Sequence, residues 1–520
     1  MTLRQRLIVA IDRLLAVVIA LYLGGTVVLF GGQIWWAPPL LAFGAVTAVG
    51  LSLIRVLLES RMRVLKSPLM LLGVLMLGLA VGQVAPLPGK IAESLAPASR
   101  SIYLWGFLPS KVKAIDASVP LPDPPSIRSP VSVDRPATLR WLAAATACLG
   151  IFWAVARFTD RLSHLYVVWG TVVAAFFLNT AVAGVQLTCG AGGVFGFLKP
   201  GSAPFWGPSL VDLSAGPGFS VLRTVGNAGV APRVWAFQVP ERVFEIGTQM
   251  GGAGAYLALG SIGLPLALSL TLQFMAPRGS REPLSARLRE SGRGSLVILL
   301  ALMLAASAAL VGLLAGPWFS LPFGIALALV GIPSARGTGL RWTALGMTAL
   351  ALVSLTSGAA TGWFWAESTT FPPPIAAEDA RAAVQVWKDA LPILQDFPVL
   401  GTGLGTFAVI FGDYKTGDAA STTALSSFLK WWVETGIVGL GLLALAGFWC
   451  LTRLPGALGR VGTADRALAF GLIGAAVGFT LFSTVHWTVE LISVALAASA
   501  VAGGLDRWLA GGTDLFVERG

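Results

Sequence analysis

Long apolar runs alternate with polar connections along almost the whole 520-residue chain. The runs are close to 20 residues long, the length that an α-helix needs to cross about 30 Å of hydrocarbon. The pattern predicts about twelve membrane-spanning helices. They are expected near residues 8–30, 34–54, 68–86, 139–157, 165–187, 249–274, 295–315, 317–334, 342–364, 428–450, 467–485 and 487–508. The eighth run is short and the ninth is rich in Gly and Ser at its centre, so either could be re-entrant.

Composition supports a membrane protein. The chain is 55% hydrophobic and 12% charged, with a mean hydropathy of +0.78, whereas a soluble domain carries about 25% charged residues. We therefore predict an all-α polytopic membrane protein. Its net charge of +11 is better explained by basic residues at cytoplasmic helix ends than by nucleic-acid binding.

The cysteines and the first apolar run add two expectations. Cys148 and Cys450 lie inside apolar runs and leave Cys189 alone, so no disulfide framework is expected. The first run contains Asp12 and lacks a clear cleavage site, which indicates a retained helix rather than a signal peptide.

Basic residues predict the orientation. Lys and Arg are concentrated in every second connection, such as 55–66 and 278–293. Because short cytoplasmic loops are enriched in Lys and Arg, both termini are expected in the cytoplasm. One integral membrane domain is expected, with spans in 1–86, 139–187, 249–364 and 428–520 and outer loops at 87–138, 188–248 and 365–427.

A glycine-rich stretch, Gly401-Thr402-Gly403-Leu404-Gly405, lies in the third outer loop. Nucleotide binding is disfavoured because the loop is predicted to face outward, no P-loop lysine follows, and no parallel-sheet pattern surrounds it. Two interpretations remain. The glycines form a flexible turn, or their backbone N–H groups bind the phosphate of an anionic lipid.

An amphipathic helix is predicted just before the glycines. Val384, Trp387, Leu391 and Leu394 recur at helical spacing, with Arg381, Gln385, Lys388 and Asp389 on the other side. Pro392 is expected to end or bend this helix. The helix is expected to lie on the outer membrane surface, with Trp387 at headgroup depth. In a second interpretation Arg381 or Lys388 faces a phosphate.

Two further ionisable residues are candidates for catalysis. Glu434 lies inside the tenth run, four residues after Lys430, so the two could form an ion pair that lowers the cost of the buried charge. Alternatively, Glu434 faces a polar cavity and orders a catalytic or binding group. His486, in the last outward turn beside Trp487, is an interfacial residue or a base for chemistry outside the cell.

The second outer loop carries Arg223, Arg233 and Arg242. Arginine binds phosphate and carboxylate groups with two parallel hydrogen bonds. The three residues suit an anionic headgroup site or a contact with the lipid surface.

Several segments together resemble the O-antigen ligase and O-antigen polymerase-like family of bacterial membrane glycosyltransferases, over most of residues 80–505. The most similar is WKDALPILQDFPVLGTGLGTF, followed by WWVETGIVGLG. GTQMGGAGAYLALGSIGLPLAL and VHWTVELISVAL are similar to the family's central and C-terminal segments. The order and spacing of these segments carry the resemblance.

The resemblance implies a multi-helix fold of the C type of glycosyltransferases in the bacterial inner membrane. It implies transfer of a glycan from an undecaprenyl-diphosphate carrier to a glycan or lipid acceptor, without a metal or other cofactor. For this reaction, the candidate catalytic residues of this sequence are His486, Glu434 and Arg381. The candidates for diphosphate or glycan binding are Arg223, Arg233, Arg242, Lys388, Gly401, Gly403 and Gly405. Proteins of polysaccharide assembly are possible partners.

The sequence departs from the family pattern in four places. Thr423–Ser427 contains no histidine, Ala383 stands where an arginine is common, and Met250–Ala253 lacks the usual asparagines. His486 stands where members more often have an acid. Two alternatives therefore remain: a non-catalytic component of polysaccharide assembly or export, and a transporter. The transporter is disfavoured by the long outer loops and the lack of a half-to-half repeat.

Overall fold

The computed structural model of the protein describes most of the predicted membrane segments and parts of all three predicted outer loops. The described residues are 2–28, 37–59, 67–105, 128–159, 162–189, 233–234, 237–238, 253–275, 293–335, 341–366, 377–416, 426–462, 465–486 and 492–510.

The described residues are almost entirely helical. The elements in chain order are α1 (Leu3–Val28), α2 (Ala37–Leu58), α3 (Pro68–Val84), α4 (Gly89–Leu95), α5 (Pro97–Trp105), α6 (Arg135–Phe158), α7 (Leu162–Cys189), β1 (Arg233–Val234), β2 (Phe237–Gln238), α8 (Ala253–Met275), α9 (Arg293–Phe319), α10 (Leu321–Ser334), α11 (Arg341–Ala366), α12 (Ala377–Asp396), α13 (Phe407–Phe411), α14 (Ser427–Leu458), α15 (Arg466–Val485) and α16 (Ile492–Leu509). The two strands pair antiparallel, Arg233 opposite Gln238.

The helices make this a multi-pass membrane protein. Within the described ranges, nine helices are long and apolar enough to cross a bilayer, and three shorter apolar helices lie in α2, α3 and α10. All twelve predicted runs therefore coincide with helices. The 14 residues of α10 extend about 21 Å, less than the hydrocarbon thickness. A count of twelve spans, and their orientation, stay predictions.

The chain forms two compact units, each assembled from segments distant in sequence. Unit 1 comprises residues 1–67, 150–377 and 453–520, and unit 2 comprises residues 68–149 and 378–452. The single membrane domain expected from the sequence stays a prediction.

Unit 1 is built around α8, whose membrane window is completely buried. It packs against α7, α9, α10 and α15. Small residues allow this close packing: a Cβ on Gly478 of α15 would lie 2.7 Å from the carbonyl oxygen of Ser261 in α8. At one end of the unit, the Arg55 guanidinium lies 2.8 Å from the Asp12 carboxylate and donates to the Arg157 carbonyl, linking α1, α2 and α6.

Unit 2 contains α3, α4, α5, the first part of α6, α12, α13 and most of α14. Its apolar core lies where the short helices meet the start of α14. The fully buried members are Ala98, Val386, Ala390, Ile393, Phe397, Phe407, Ile410, Phe411, Leu429 and Val433. Parts of the first and third predicted outer loops therefore fold together within this unit.

Candidate functional site

The glycine loop of unit 2 occupies a break in helix α14. Gly436 has a φ of 60° and interrupts the helix three residues after Val433. An intact helix would pair the N–H groups of Ile437 and Val438 with the carbonyls of Val433 and Glu434. The loop replaces both of these bonds.

Residues on the two sides of the loop satisfy the groups that the break releases. Ile437 and Val438 donate to the carbonyls of Pro398 and Val399, at 2.9 and 3.3 Å. In return, Thr402 and Gly403 donate to the carbonyls of Val433 and Glu434, at 3.0 and 3.1 Å. Such replacement is needed wherever a helix is broken in or near a membrane, because unpaired backbone groups are costly there.

The glycines are required by close backbone approach. Gly401, Gly403 and Gly405 have φ values of 70°, 105° and 81°, which residues with a Cβ rarely adopt. A Cβ on Gly401 would also lie 2.3 Å from the carbonyl carbon of Glu434. This geometry explains the glycine pattern without a ligand, and the N–H of Gly403 is already committed to Glu434. Binding of diphosphate by the three glycines stays a prediction.

Glu434 is buried and contacts the segment after the loop. Its Oε1 accepts a hydrogen bond of 2.9 Å from the N–H of Phe407, the first residue of α13. The same oxygen lies 3.8 Å from Nζ of Lys430. The expected Lys430–Glu434 pair is therefore present, at a distance longer than a direct hydrogen bond. The carboxylate orders α13, and a catalytic role for it stays a prediction.

Gln83, at the end of α3, is the residue that the sequence analysis missed. It is fully buried. Its Nε2 donates to the carbonyls of Leu400 and Glu434, at 2.7 and 2.9 Å. Its Oε1 accepts from the N–H of Leu404, at 3.1 Å. One amide thus contacts both the glycine loop and the break in α14. An uncharged polar residue near the end of an apolar run was the only sequence signal.

The first predicted outer loop completes this arrangement. Val133 donates to the carbonyl of Thr402 and Ser132 donates to the carbonyl of Gln83, both at 2.9 Å. A Cβ on Gly403 would lie 2.6 Å from Oγ of Ser132. Tyr103 donates to the carbonyl of Ser132, and burial raises the pKa of its phenol. Loops distant in sequence thus meet at the glycines.

Helix α12 has a different buried face from the one that its spacing emphasises. The predicted apolar stripe is mostly exposed, with Val384 at 56%, Trp387 at 41% and Leu391 at 51%. The stripe Val386, Ala390, Ile393 and Phe397 is buried instead. The exposed stripe is free to contact lipid, as the surface-helix prediction requires. Lys388 is also exposed.

The helix α12 continues past Pro392 to Asp396, so Pro392 does not end it, and the alternative expectation of a bend stays a prediction. Asp389, expected on the polar side, is buried. Its carboxylate accepts from Nε2 of Gln385 and from both the Oγ1 and the N–H of Thr416. These bonds hold the segment that follows α13 against α12.

A further hydrogen bond connects the segment after α13 to α12. Tyr414 donates to the carboxylate of Asp396. Burial, and then this hydrogen bond to a carboxylate, raise the pKa of the Tyr414 phenol. The neutral phenol is therefore the form that the folded state favours.

His486 lies in unit 1, at the C-terminal end of α15. Its side chain is buried, and its ring stacks on Phe482 with centroids 5.1 Å apart. It also lies against the start of α8, where a Cβ on Gly254 would come within 2.7 Å of Nε2 of His486. The glycine makes room for the imidazole. The catalytic role of His486 stays a prediction.

The predicted arginines are described only in part. Arg233 lies on β1 and Arg381 on α12, but their side chains lie outside the described part, as do Arg223 and Arg242 altogether. The structure brings together Glu434, Gly401, Gly403 and Gly405. Among the described residues, no group of three or more His, Cys, Asp or Glu side chains could hold a metal ion.

No protein-family model matches the chain, and no curated protein matches its sequence. The resemblance to the ligase and polymerase-like family therefore stays a prediction from the sequence motifs.

Proposed function

We propose that the protein is a membrane glycosyltransferase of the O-antigen ligase or polymerase kind. It transfers or polymerises glycan from a polyprenyl-diphosphate carrier at the outer face of the inner membrane. The observation that carries the proposal is the mutual packing of the two segments with the strongest family resemblance. The loop that contains Gly401, Gly403 and Gly405 fills the break beside Glu434.

This packing explains why both segments contain glycines with positive φ. The positive-φ glycines serve the loop, and Gly436 serves the break, where a Cβ would lie 2.4 Å from the carbonyl oxygen of Val399. Each segment supplies the hydrogen-bond partners for the backbone groups of the other. Their joint presence in one chain therefore favours a shared fold over a chance likeness of short motifs.

The proposed reaction needs only side chains. An acceptor hydroxyl oxygen attacks the anomeric carbon, and its proton passes to a base, for which His486 is the candidate. The bond between the anomeric carbon and the diphosphate oxygen breaks. The departing diphosphate is stabilised by cationic groups, for which Arg223, Arg233, Arg242, Arg381 and Lys388 are the candidates.

Complementation of a gene deletion tests the proposal. Deletion is expected to let carrier-linked glycan accumulate, and the wild-type gene to reverse this. His486→Ala and Arg242→Ala are expected to behave like the deletion at matched expression. Lys415→Ala, at an exposed position with no assigned role, is the control and should complement. Unchanged glycan profiles in the deletion strain would refute the proposal.

A second candidate function, a non-catalytic component of polysaccharide assembly, is favoured by the internal hydrogen bonds. The carboxylate of Glu434 and the N–H of Gly403 are both engaged within the protein. A scaffold would require the deletion phenotype together with full complementation by His486→Ala and Arg242→Ala.

A further inference from the structure

The side-chain amide of Gln83 forms hydrogen bonds with three backbone groups. Two are acceptors, the carbonyls of Leu400 and Glu434, and one is a donor, the N–H of Leu404. The two acceptors belong to the loop and to the break in α14, respectively. The residue is fully buried, so none of these bonds competes with solvent.

The four backbone hydrogen bonds between the loop and α14 include neither Leu400 nor Leu404. They involve Pro398, Val399, Thr402 and Gly403. Leu400 and Leu404 flank the two donors of the loop, and Gln83 holds the backbone of both. Its own carbonyl accepts from Ser132, which connects the same point to the first predicted outer loop.

We propose that Gln83 is a positioning residue that sets the register of loop 398–404 in the break of α14. The register places Gly403 under the Glu434 carbonyl and places Phe407 where its N–H meets the Glu434 carboxylate. The consequence for catalysis rests on the proposed function. The positioning itself does not.

Hydrogen exchange of the purified full-length protein tests the positioning. Gln83→Met keeps the length and approximate volume of the side chain and removes all three bonds. Exchange in peptides that cover 399–407 is expected to accelerate at least about tenfold, since local opening follows the loss of local bonds. Gln83→Asn keeps the amide but shortens the side chain by one methylene, so it should weaken the three bonds and lie between the wild type and Gln83→Met.

Ser52→Ala is the control. Ser52 is buried in unit 1 and donates to the carbonyl of Ala48 within its own helix α2, so the variant loses a buried hydrogen bond that does not involve the glycine loop. It should leave exchange at 399–407 unchanged. Equal exchange of the wild type and Gln83→Met in this region would overturn the proposal. If Gln83→Met does not fold, the same comparison with Gln83→Asn decides.

Complementation separates this proposal from the proposed function. Gln83→Met is expected to lower glycan transfer about tenfold or more at matched expression, whereas Ser52→Ala should not. Full complementation by a variant with accelerated exchange would remove the catalytic consequence. If the gene deletion itself leaves glycans unchanged, the proposed function fails, and the exchange result still decides the role of Gln83.

Discussion

Gly401 is the residue whose identity the structure explains most directly. Its positive φ costs about 1–2 kcal/mol in an L-residue, and a Cβ would press on the backbone of Glu434 rather than on a side chain that can move. Gly412 offers the contrast, since its φ of −55° is helical and a Cβ there would meet nothing closer than 3.9 Å.

Gly401→Ala is therefore expected to destabilise unit 2 by more than about 2 kcal/mol, the sum of conformational strain and backbone displacement. Gly412→Ala should change stability by less than about 0.5 kcal/mol. The thermal midpoints of both variants in detergent check this. Equal midpoints would show that the loop does not lie against α14.

Tyr414 predicts a dependence on alkaline pH. The pKa of the Tyr414 phenol in the folded state is raised above the ordinary value of 10.0. Its contribution to the free energy of unfolding is therefore complete below pH 10 and is lost as the pH rises above that value. Tyr414→Phe is expected to reduce the fall of the thermal midpoint between pH 9 and about 11. The wild type and the variant falling in parallel would contradict the prediction.

At the scale of elements, helix α12 carries two apolar stripes, and the packing of the helix depends on which of them is buried. Ile393→Ala, at a fully buried position, is expected to cost about 2–5 kcal/mol through the lost contacts and the cavity. Leu391→Ala, 51% exposed, should cost less than about 0.5 kcal/mol in detergent.

The thermal midpoints of this pair identify the buried face, because the two residues are two positions apart on one helix. A larger loss from Leu391→Ala would mean that the predicted stripe, rather than the observed one, faces the protein.

The break in α14 shows how one element depends on another. The apolar run predicts a continuous helix, and the helix does begin at Ser427 and end at Leu458. The interruption at Gly436 is tolerated because loop 398–404 supplies the missing partners. A helix considered alone gives no reason for this interruption.

At the scale of the whole molecule, orientation is the main prediction that remains to be tested. The distribution of Lys and Arg predicts that the connection after α13 faces outward and that the connection after α14 faces the cytoplasm. Lys415 and Arg460 are exposed positions in these two connections.

In a background without Cys148, Cys189 and Cys450, Lys415→Cys should react with a membrane-impermeant maleimide added to spheroplasts. Arg460→Cys should react only after permeabilisation. The reverse labelling pattern would contradict the predicted topology. It would also remove one of the three arguments against nucleotide binding at the glycine loop.

The sequence by itself determined the class of the protein and the positions of its apolar helices. This was possible because the length and hydrophobicity of a membrane helix are local properties, recorded within about 20 consecutive residues. It also marked the glycines and the Lys430–Glu434 pair, since both depend on residues close together in the chain.

Only the tertiary structure decided what the glycines contact, which face of α12 is buried, and that Gln83 contacts both the glycine loop and α14. The physical reason is the distance in sequence between the partners. Gln83 and Glu434 are 351 residues apart and meet through a side-chain amide and a backbone carbonyl. Neither group carries a periodicity or a motif, so the contact exists only once the chain is folded.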